Sequence, residues 1–354
     1  MKKLADIHVH IDSLSIDAVK GMFDFLKELG VTDLTIQCLC KHGIFQNLAS
    51  LYFKNTYKDI NISAFGSLHQ NDIYSDIPYE KQVETLLDMG MDGMKFLEMK
   101  PDFRKTLTEG VNSKKYDKMF SLLEERNIPT LFHVNDPEEF WDLQKIPKNH
   151  LERGWFYGDG TYLSKQEIYD EVFKMLDKHP KLNVVFAHFF FMSNNIDEAT
   201  RIMEKYHNVR FDLTPGTEMF EGFSKNIDAW HNFFEKYSDR ILYGTDSNVA
   251  KIPRILDEIS RTVKMVLSNE KTWFNMPMWP RFEVKGLNLS DETVEKICYK
   301  NYHDFVGTPN KADMNKVLEY ANKMICDLKN DEKHVDAVKY LESIIKDMKK
   351  SSQV

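Results

Sequence analysis

Leu4-Ala5-Asp6-Ile7-His8-Val9-His10 decides how the rest of the chain is read. It is a short apolar run that ends in two histidines one residue apart. In a strand, residues i and i+2 point the same way, so both imidazoles converge on one point. Seven more runs rich in Val, Ile, Phe and Leu follow, at Asp33–Cys40, Ile62–Leu68, Gly93–Leu97, Pro129–Val134, Asn183–His188, Val209–Thr214 and Arg240–Asp246. Near-continuous apolar runs suit strands buried on both faces, as in a parallel sheet.

Most of the runs are followed by a segment of helical periodicity. Ile16–Leu29 ends at Gly30, and the segment from Pro78 to Met89 ends at Gly90, each a natural left-handed cap. Ser164-Lys165-Gln166-Glu167 is a capping box that opens a helix stopping before Pro180. Eight strands alternating with helices predict an α/β fold, the (β/α)8 TIM barrel. A doubly wound open sheet competes, but no Gly-rich phosphate turn follows the first strand. Past the eighth run, residues 251–310 read as helix with a Pro-rich loop at Met276–Pro280. The chain divides into a barrel over 1–310 and a helical extension over 311–354. In the extension Val335, Val338, Leu341, Ile344, Ile345 and Met348 fall on one stripe, so it packs on the barrel or on a partner subunit, the latter giving a homodimer.

The 354 residues carry 47 Lys and Arg against 55 Asp and Glu, a net charge of −8. No basic stripe for nucleic acid appears. Hydrophobic residues at 42%, 12% of the chain being aromatic, are enough for a large core, which excludes dominant disorder. No apolar run reaches the roughly 18 residues of a membrane span. Met1-Lys2-Lys3 is followed by a stretch broken at Asp6, His8 and His10, which does not read as a signal peptide. Four cysteines read as reduced thiols in a cytoplasmic protein, with Cys38 and Cys40 sharing one face of a strand.

The ends of the other strands carry the chemistry. His133 stands near the end of the fifth run, His188 closes the sixth and Asp246 the eighth. Any one of these histidines alone would read as a core residue satisfied by the backbone. Together they fall where barrel active sites sit, at the C-terminal mouth. Nitrogen and oxygen ligands without cysteine suit Zn, Mn or Fe in an open, catalytic site. His69 follows the third run and faces the same mouth. Arg153 and Trp155 lie in a long Gly-containing loop after the fifth strand, with Tyr157 and Asp159. Loops of that length on this face often contact substrate. His42, His150, His179, His207, His231, His303 and His334 sit in helices or connections and are assigned no chemistry.

Asp6-Ile7-His8-Val9-His10 with His133, His188 and Asp246 resembles the amidohydrolase superfamily. So do Lys181–His188, Gly244-Thr245-Asp246 and Tyr299-Lys300-Asn301. Within the superfamily the chain is most similar to the amidohydrolase-2 group, which includes non-oxidative decarboxylases of the aminocarboxymuconate-semialdehyde type. The resemblance covers nearly all of residues 1–307. It implies that His8, His10, His133 and Asp246 bind one divalent ion, with Zn first and Mn or Fe as alternatives. It implies that His188 stands just outside the ligands, polarising substrate or moving a proton, and that Asp246 takes the proton of a bound water. Asp6 would orient a ligand imidazole.

Lys95 in the fourth run falls where binuclear members carry a carboxylated lysine. Carboxylated, it would hold a second ion and draw His188 in. Unmodified, the favoured state, it would pair with Glu98, Asp246 or a substrate carboxylate. The implied reaction is hydrolysis of a C–N or C–O bond in a small carbonyl substrate. Decarboxylation of a small aromatic or unsaturated acid is the alternative, with Arg153, Arg104 or Lys95 facing the carboxylate. A non-catalytic binding protein ranks last, because the ligand set is complete.

Overall fold

The computed structural model describes residues 3–40, 43–70, 72–215, 217–251, 267–268, 271–274 and 282–351. Eight parallel strands pair in chain order: β1 (Leu4–Val9), β2 (Val31–Gln37), β3 (Asn61–Gly66), β4 (Gly93–Met99), β5 (Thr130–Val134), β6 (Val184–Phe186), β7 (Val209–Asp212) and β8 (Ile241–Leu242). The Ile7 amide donates to Tyr243 O and the His10 amide to Ser247 O, while Val9 bridges Ser247. These contacts bring β1 against the segment leaving β8, so the sheet curls into the expected (β/α)8 barrel. Every barrel strand lies inside one of the eight apolar runs or within two residues of it. The reason is burial on both faces, which leaves little room for polar side chains outside the mouth. Helix Asn301–Val306 sets Tyr302 and Phe305 in one cluster with Ala5, Ile7, Phe65, Leu131 and Val185. Tyr302 Oη lies within hydrogen-bond distance of Thr35 and Ser63.

Helix ends follow the sequence signals. Helix Ile16–Glu28 stops just before Gly30 (φ +94°), and helix Tyr79–Met89 stops at Gly90 (φ +106°). A Cβ on Gly90 would also lie 2.7 Å from Ala312 Cα, so the cap doubles as a close approach for the C-terminal segment. Helix Lys165–Lys178 opens on the capping box. Ser164 Oγ accepts from the Glu167 amide at 3.2 Å, and Glu167 Oε2 accepts from the Ser164 amide at 2.8 Å. Ser164→Ala is expected to lower stability by about 1 kcal/mol. A urea midpoint equal to that of the parent would show that the box contributes nothing.

The C-terminal helices Met314–Leu328 and Val335–Ser351 pack on the barrel's own helix Gly43–Thr56. Tyr52 donates to Asp347, the Tyr340 ring sits edge-on to Phe45, and Tyr74 donates to Asp327. Val338, Leu341, Ile344, Ile345 and Met348 are buried there, whereas Val335 stays 41% exposed.

Two local expectations fail. β2 ends at Gln37, so Cys38 and Cys40 lie beyond the strand: Cys38 meets Ser50, and Cys40 packs with Leu97 and Phe103. All four cysteines are free thiols. Within 251–310, Lys271–Phe274 and Phe282–Lys285 form an antiparallel hairpin rather than helix. Thr272, Trp273, Phe274 and Val284 are strand-favouring residues. The Pro-rich loop Met276–Pro280, and the helix expected over 252–266, lie outside the described residues. Among the described residues no helix is long and apolar enough to cross a membrane.

Candidate metal centre

β1 delivers His8 and His10 to the barrel mouth, and the turn after β8 delivers Asp246. Their atoms converge: His8 Nε2 lies 3.1 Å from His10 Nε2, and Asp246 Oδ1 lies 3.1 Å from His10 Nε2 and 3.9 Å from His8 Nε2. Among the described residues these are the group of three metal-type ligands whose atoms all lie within 4.8 Å of one another. The far side of each ring decides the tautomer. His8 Nδ1 donates to Asp212 Oδ2 at 2.9 Å, and His10 Nδ1 donates to Gln37 O at 2.7 Å. With both Nδ1 atoms so engaged, the two Nε2 atoms are the ones turned toward a common point, where a cation would take a lone pair from each. Two nitrogens about 2.05 Å from one tetrahedral ion stand about 3.3 Å apart, close to the observed spacing. The donor set fits a divalent ion.

Asp212, which the sequence reading passed over, does the orienting that had been assigned to Asp6. It also accepts from the His188 amide at 2.8 Å and the Thr214 amide at 3.0 Å. Asp6 instead accepts from the His8 amide and from the amide and hydroxyl of Thr245, so it braces backbone rather than imidazole. Burial pushes both carboxyls up to about 7, opposed at Asp212 by the Lys95 ammonium. The signal that could have found Asp212 was a lone carboxylate inside the seventh run, two residues before its end at Thr214.

Lys95 reaches the same point, with Nζ 3.1 Å from His8 Nε2. Burial pulls it down to about 8, against the pull of Asp212 and Asp246. It does not pair with Glu98, which accepts instead from Gln70 Nε2 and the Leu97 amide. Lys251, also missed, donates from Nζ to both the carbonyl and Oδ2 of Asp246 at 2.6 Å. Burial alone would raise Asp246, but Lys251 and the two histidines hold it well below the usual carboxylate range.

His133 and His188 form a second pair beside the first. His133 stands outside the three-ligand group, with Nδ1 3.2 Å from His188 Nε2 and Nε2 3.3 Å from Asp136 Oδ1. Asp136 is held in turn by Lys100 and by the Tyr157 hydroxyl. His188 Nδ1 donates to Thr214 O at 3.1 Å, which leaves its Nε2 as an acceptor. Burial lowers His8, His133 and His188, so all three rings stay neutral at pH 7.

The backbone that carries His188 is unusual. His188, Phe189, Phe190 and Phe191 all have φ between +51° and +56°, a left-handed turn directly after β6. Left-handed backbone costs a residue with a Cβ about 1–2 kcal/mol. Aromatic packing offsets it. Phe189 stacks on Phe234 and meets Phe211, Phe223 and Trp230, while Phe190 stacks on Phe186.

A cavity of about 410 Å3 opens over the cluster. The loop after β5 supplies one wall, where Arg153 lies 5.3 Å from the Trp155 ring and His150 stacks on it; Lys100, just past β4, lies 5.0 Å from the same ring. His150 thus lines the cavity although no chemistry was expected of it. His69 does not join the lining. Its Nδ1 pairs with Asp72 at 2.6 Å and its Nε2 lies 3.4 Å from Tyr320 Oη. Arg104 makes a two-pronged pair with Glu171 and does not line the cavity.

A family model described as amidohydrolase matches residues 76–307. The chain belongs to the amidohydrolase family. Solved structures share the fold at low identity. A 2,6-dihydroxybenzoate decarboxylase from Rhizobium is 15% identical with a TM-score of 0.53, over 86% of this chain and 99% of that one. A dihydroxybenzoic acid decarboxylase from Polaromonas sp. JS666, solved with manganese and 2-nitroresorcinol, is 14% identical with a TM-score of 0.52, over 86% of this chain and 97% of that one. A 4-oxalomesaconate hydratase from Rhodopseudomonas palustris is 13% identical with a TM-score of 0.53, over 92% of this chain and 100% of that one. No curated protein matches the chain. The amidohydrolase family is metal-dependent, and the His8, His10 and Asp246 cluster is what this member offers an ion.

Proposed function

We propose that this amidohydrolase is a metal-dependent hydrolase that cleaves a C–N or C–O bond in a small carbonyl compound bearing an anionic group. The observation that carries the reading is the convergence of His8 Nε2, His10 Nε2 and Asp246 Oδ1 under a cavity whose walls include Lys95, Lys100, Arg153 and Lys251. His8, His10 and Asp246 would hold the ion, with His133 as the fourth ligand implied by the family pattern. A bound divalent ion supplies a water of pKa about 7 instead of 15.7 and polarises the substrate carbonyl. Asp212 keeps the His8 lone pair aimed inward. His188, neutral and with an accepting Nε2 that a metal-bound His133 would release, takes the proton of the attacking water and returns it to the leaving group. Lys251, already on Asp246, keeps that carboxylate ionised as a ligand rather than as a base. Lys95 and Arg153 bind the substrate's anionic group.

The same two cations also favour a second reading, decarboxylation, because a carboxylate about to leave needs a cationic receptor. The test is elemental analysis of untagged protein purified without added metal, followed by assay. About one Zn, Mn or Fe per chain is expected, and two would assign a carboxylated Lys95. Appearance of a new carboxylate with its amine or alcohol, without CO2, supports hydrolysis, and release of labelled CO2 from a carboxyl-labelled aromatic acid supports the lyase. A chain that takes up no divalent ion even in excess overturns both.

Removing the ion is expected to lower stability, since a ligand present at 1,000 times its Kd stabilises by about 4 kcal/mol. Thermal unfolding before and after dialysis against a chelator reads this directly, and an unchanged Tm would argue against an ion held by the native fold.

A further inference from the structure

A second cavity, of about 780 Å3, opens beside the metal centre on the same face of the barrel. Trp141, Tyr169 and Phe191 give it aromatic walls, Asn195 an amide, and Lys165 and Glu218 opposite charges. Phe191 lines both cavities: its ring centre lies 5.2 Å from that of His188 on one side and 5.9 Å from Lys165 Nζ on the other. Glu218 is 4% exposed, and neither of its carboxylate oxygens has a hydrogen-bond partner among the described residues. Lys165 feels Glu218 through space, yet among the described residues it makes no ion pair within 4.0 Å. A buried charge without a partner is expensive, and burial accordingly pushes the Glu218 carboxyl up to about 8. The buried carboxyl of Glu218 and the half-buried ammonium of Lys165, on one cavity and not touching each other, are complementary to a molecule whose own ammonium would ionise Glu218 and whose carboxylate would meet Lys165.

We propose that this cavity is a second ligand site, taking a small zwitterion whose carboxylate meets Lys165 and whose ammonium meets Glu218 among the aromatic walls. The site stands whether the metal centre hydrolyses or decarboxylates, and its occupant would touch the ring that packs on His188.

Titration calorimetry on the metal-loaded protein tests it with two zwitterions of different charge spacing, L-norvaline and 5-aminovalerate. Butylamine and pentanoate are the one-charge controls. One zwitterion at least is expected to bind saturably at one per chain, more tightly than either control. Glu218→Gln and Lys165→Met should each weaken it about tenfold or more, as loss of a charge-assisted contact does. His10→Ala should leave it unchanged. No saturable heat with either zwitterion overturns the proposal, as does equal binding of a control. Loss of binding in His10→Ala with retention in both cavity variants would place the ligand on the metal and overturn it too. Lys165 is in the first turn of its helix, so Lys165→Met keeps the test alive if Glu218→Gln fails to fold.

Discussion

His10→Ala is expected to give a folded barrel that no longer retains its ion, with turnover reduced by a factor on the order of 10^4 or more, because water returns to its unassisted pKa. The fold should survive. His10 sits at the rim of the strand and its ring leaves behind one backbone acceptor, Gln37 O. An unmet carbonyl costs about 1–3 kcal/mol, less than the roughly 5–15 kcal/mol by which a domain is stable. Elemental analysis and circular dichroism on one preparation separate the two effects. Asp246→Ala should behave alike while releasing Lys251. A variant that keeps both ion and turnover would end the assignment of the site.

Asp212 yields the second large effect, and two substitutions separate its roles. Asp212→Ala removes the acceptor for His8 Nδ1 and for the amides of His188 and Thr214, all buried. A loss of roughly 3–5 kcal/mol is expected, the range for breaking a buried charged network. Asp212→Asn keeps the volume and an oxygen for the two amides. Its Nδ2, however, would face His8 Nδ1 and force the proton onto Nε2, where it blocks the ligand lone pair. That variant should melt close to the parent yet bind metal about 10–100 times more weakly. Equal metal affinity in Asp212→Asn and the parent would show that Asp212 does not set the His8 tautomer.

The barrel was legible because strands buried on both faces must be apolar for their whole length. That leaves eight marks in the sequence, and any ligand-type residue at the end of one becomes conspicuous. His8, His10 and Asp246, which the structure brings together, stand out in this way. Asp212 was not, since a single aspartate inside Val209–Thr214 reads as a strand terminus, and its partners are 204 residues away at His8 and 24 away at His188. Lys251 was hidden for a related reason. A lysine five residues past Asp246 looks solvated until the turn folds it back. His69 and Arg104 show the converse: the right residue type near the mouth, taken up by Asp72 and by Glu171. Cys38 and Cys40 read as strand because apolar character persists past Gln37, where β2 ends, and the Cys38 amide still donates to Phe65 O of β3.

The turn from His188 to Phe191 bears on how this barrel could be altered for new chemistry. Glycine at Phe189 or Phe190 would relieve the backbone by about 1–2 kcal/mol, but deleting a buried phenyl ring costs about 3–5 kcal/mol. The aromatic cluster therefore dictates the direction in which His188 points, and the two cannot be varied independently. A laboratory library that randomises the β6 connection would return mostly unfolded chains. The β5 connection, whose Arg153 and Trp155 line the cavity while its own small core of Phe140, Ile146 and Tyr157 holds it together, is the place to spend diversity. The ring beside the metal cluster and the outer wall of the cavity thus sit on different connections of one barrel, the first resistant to change and the second open to it.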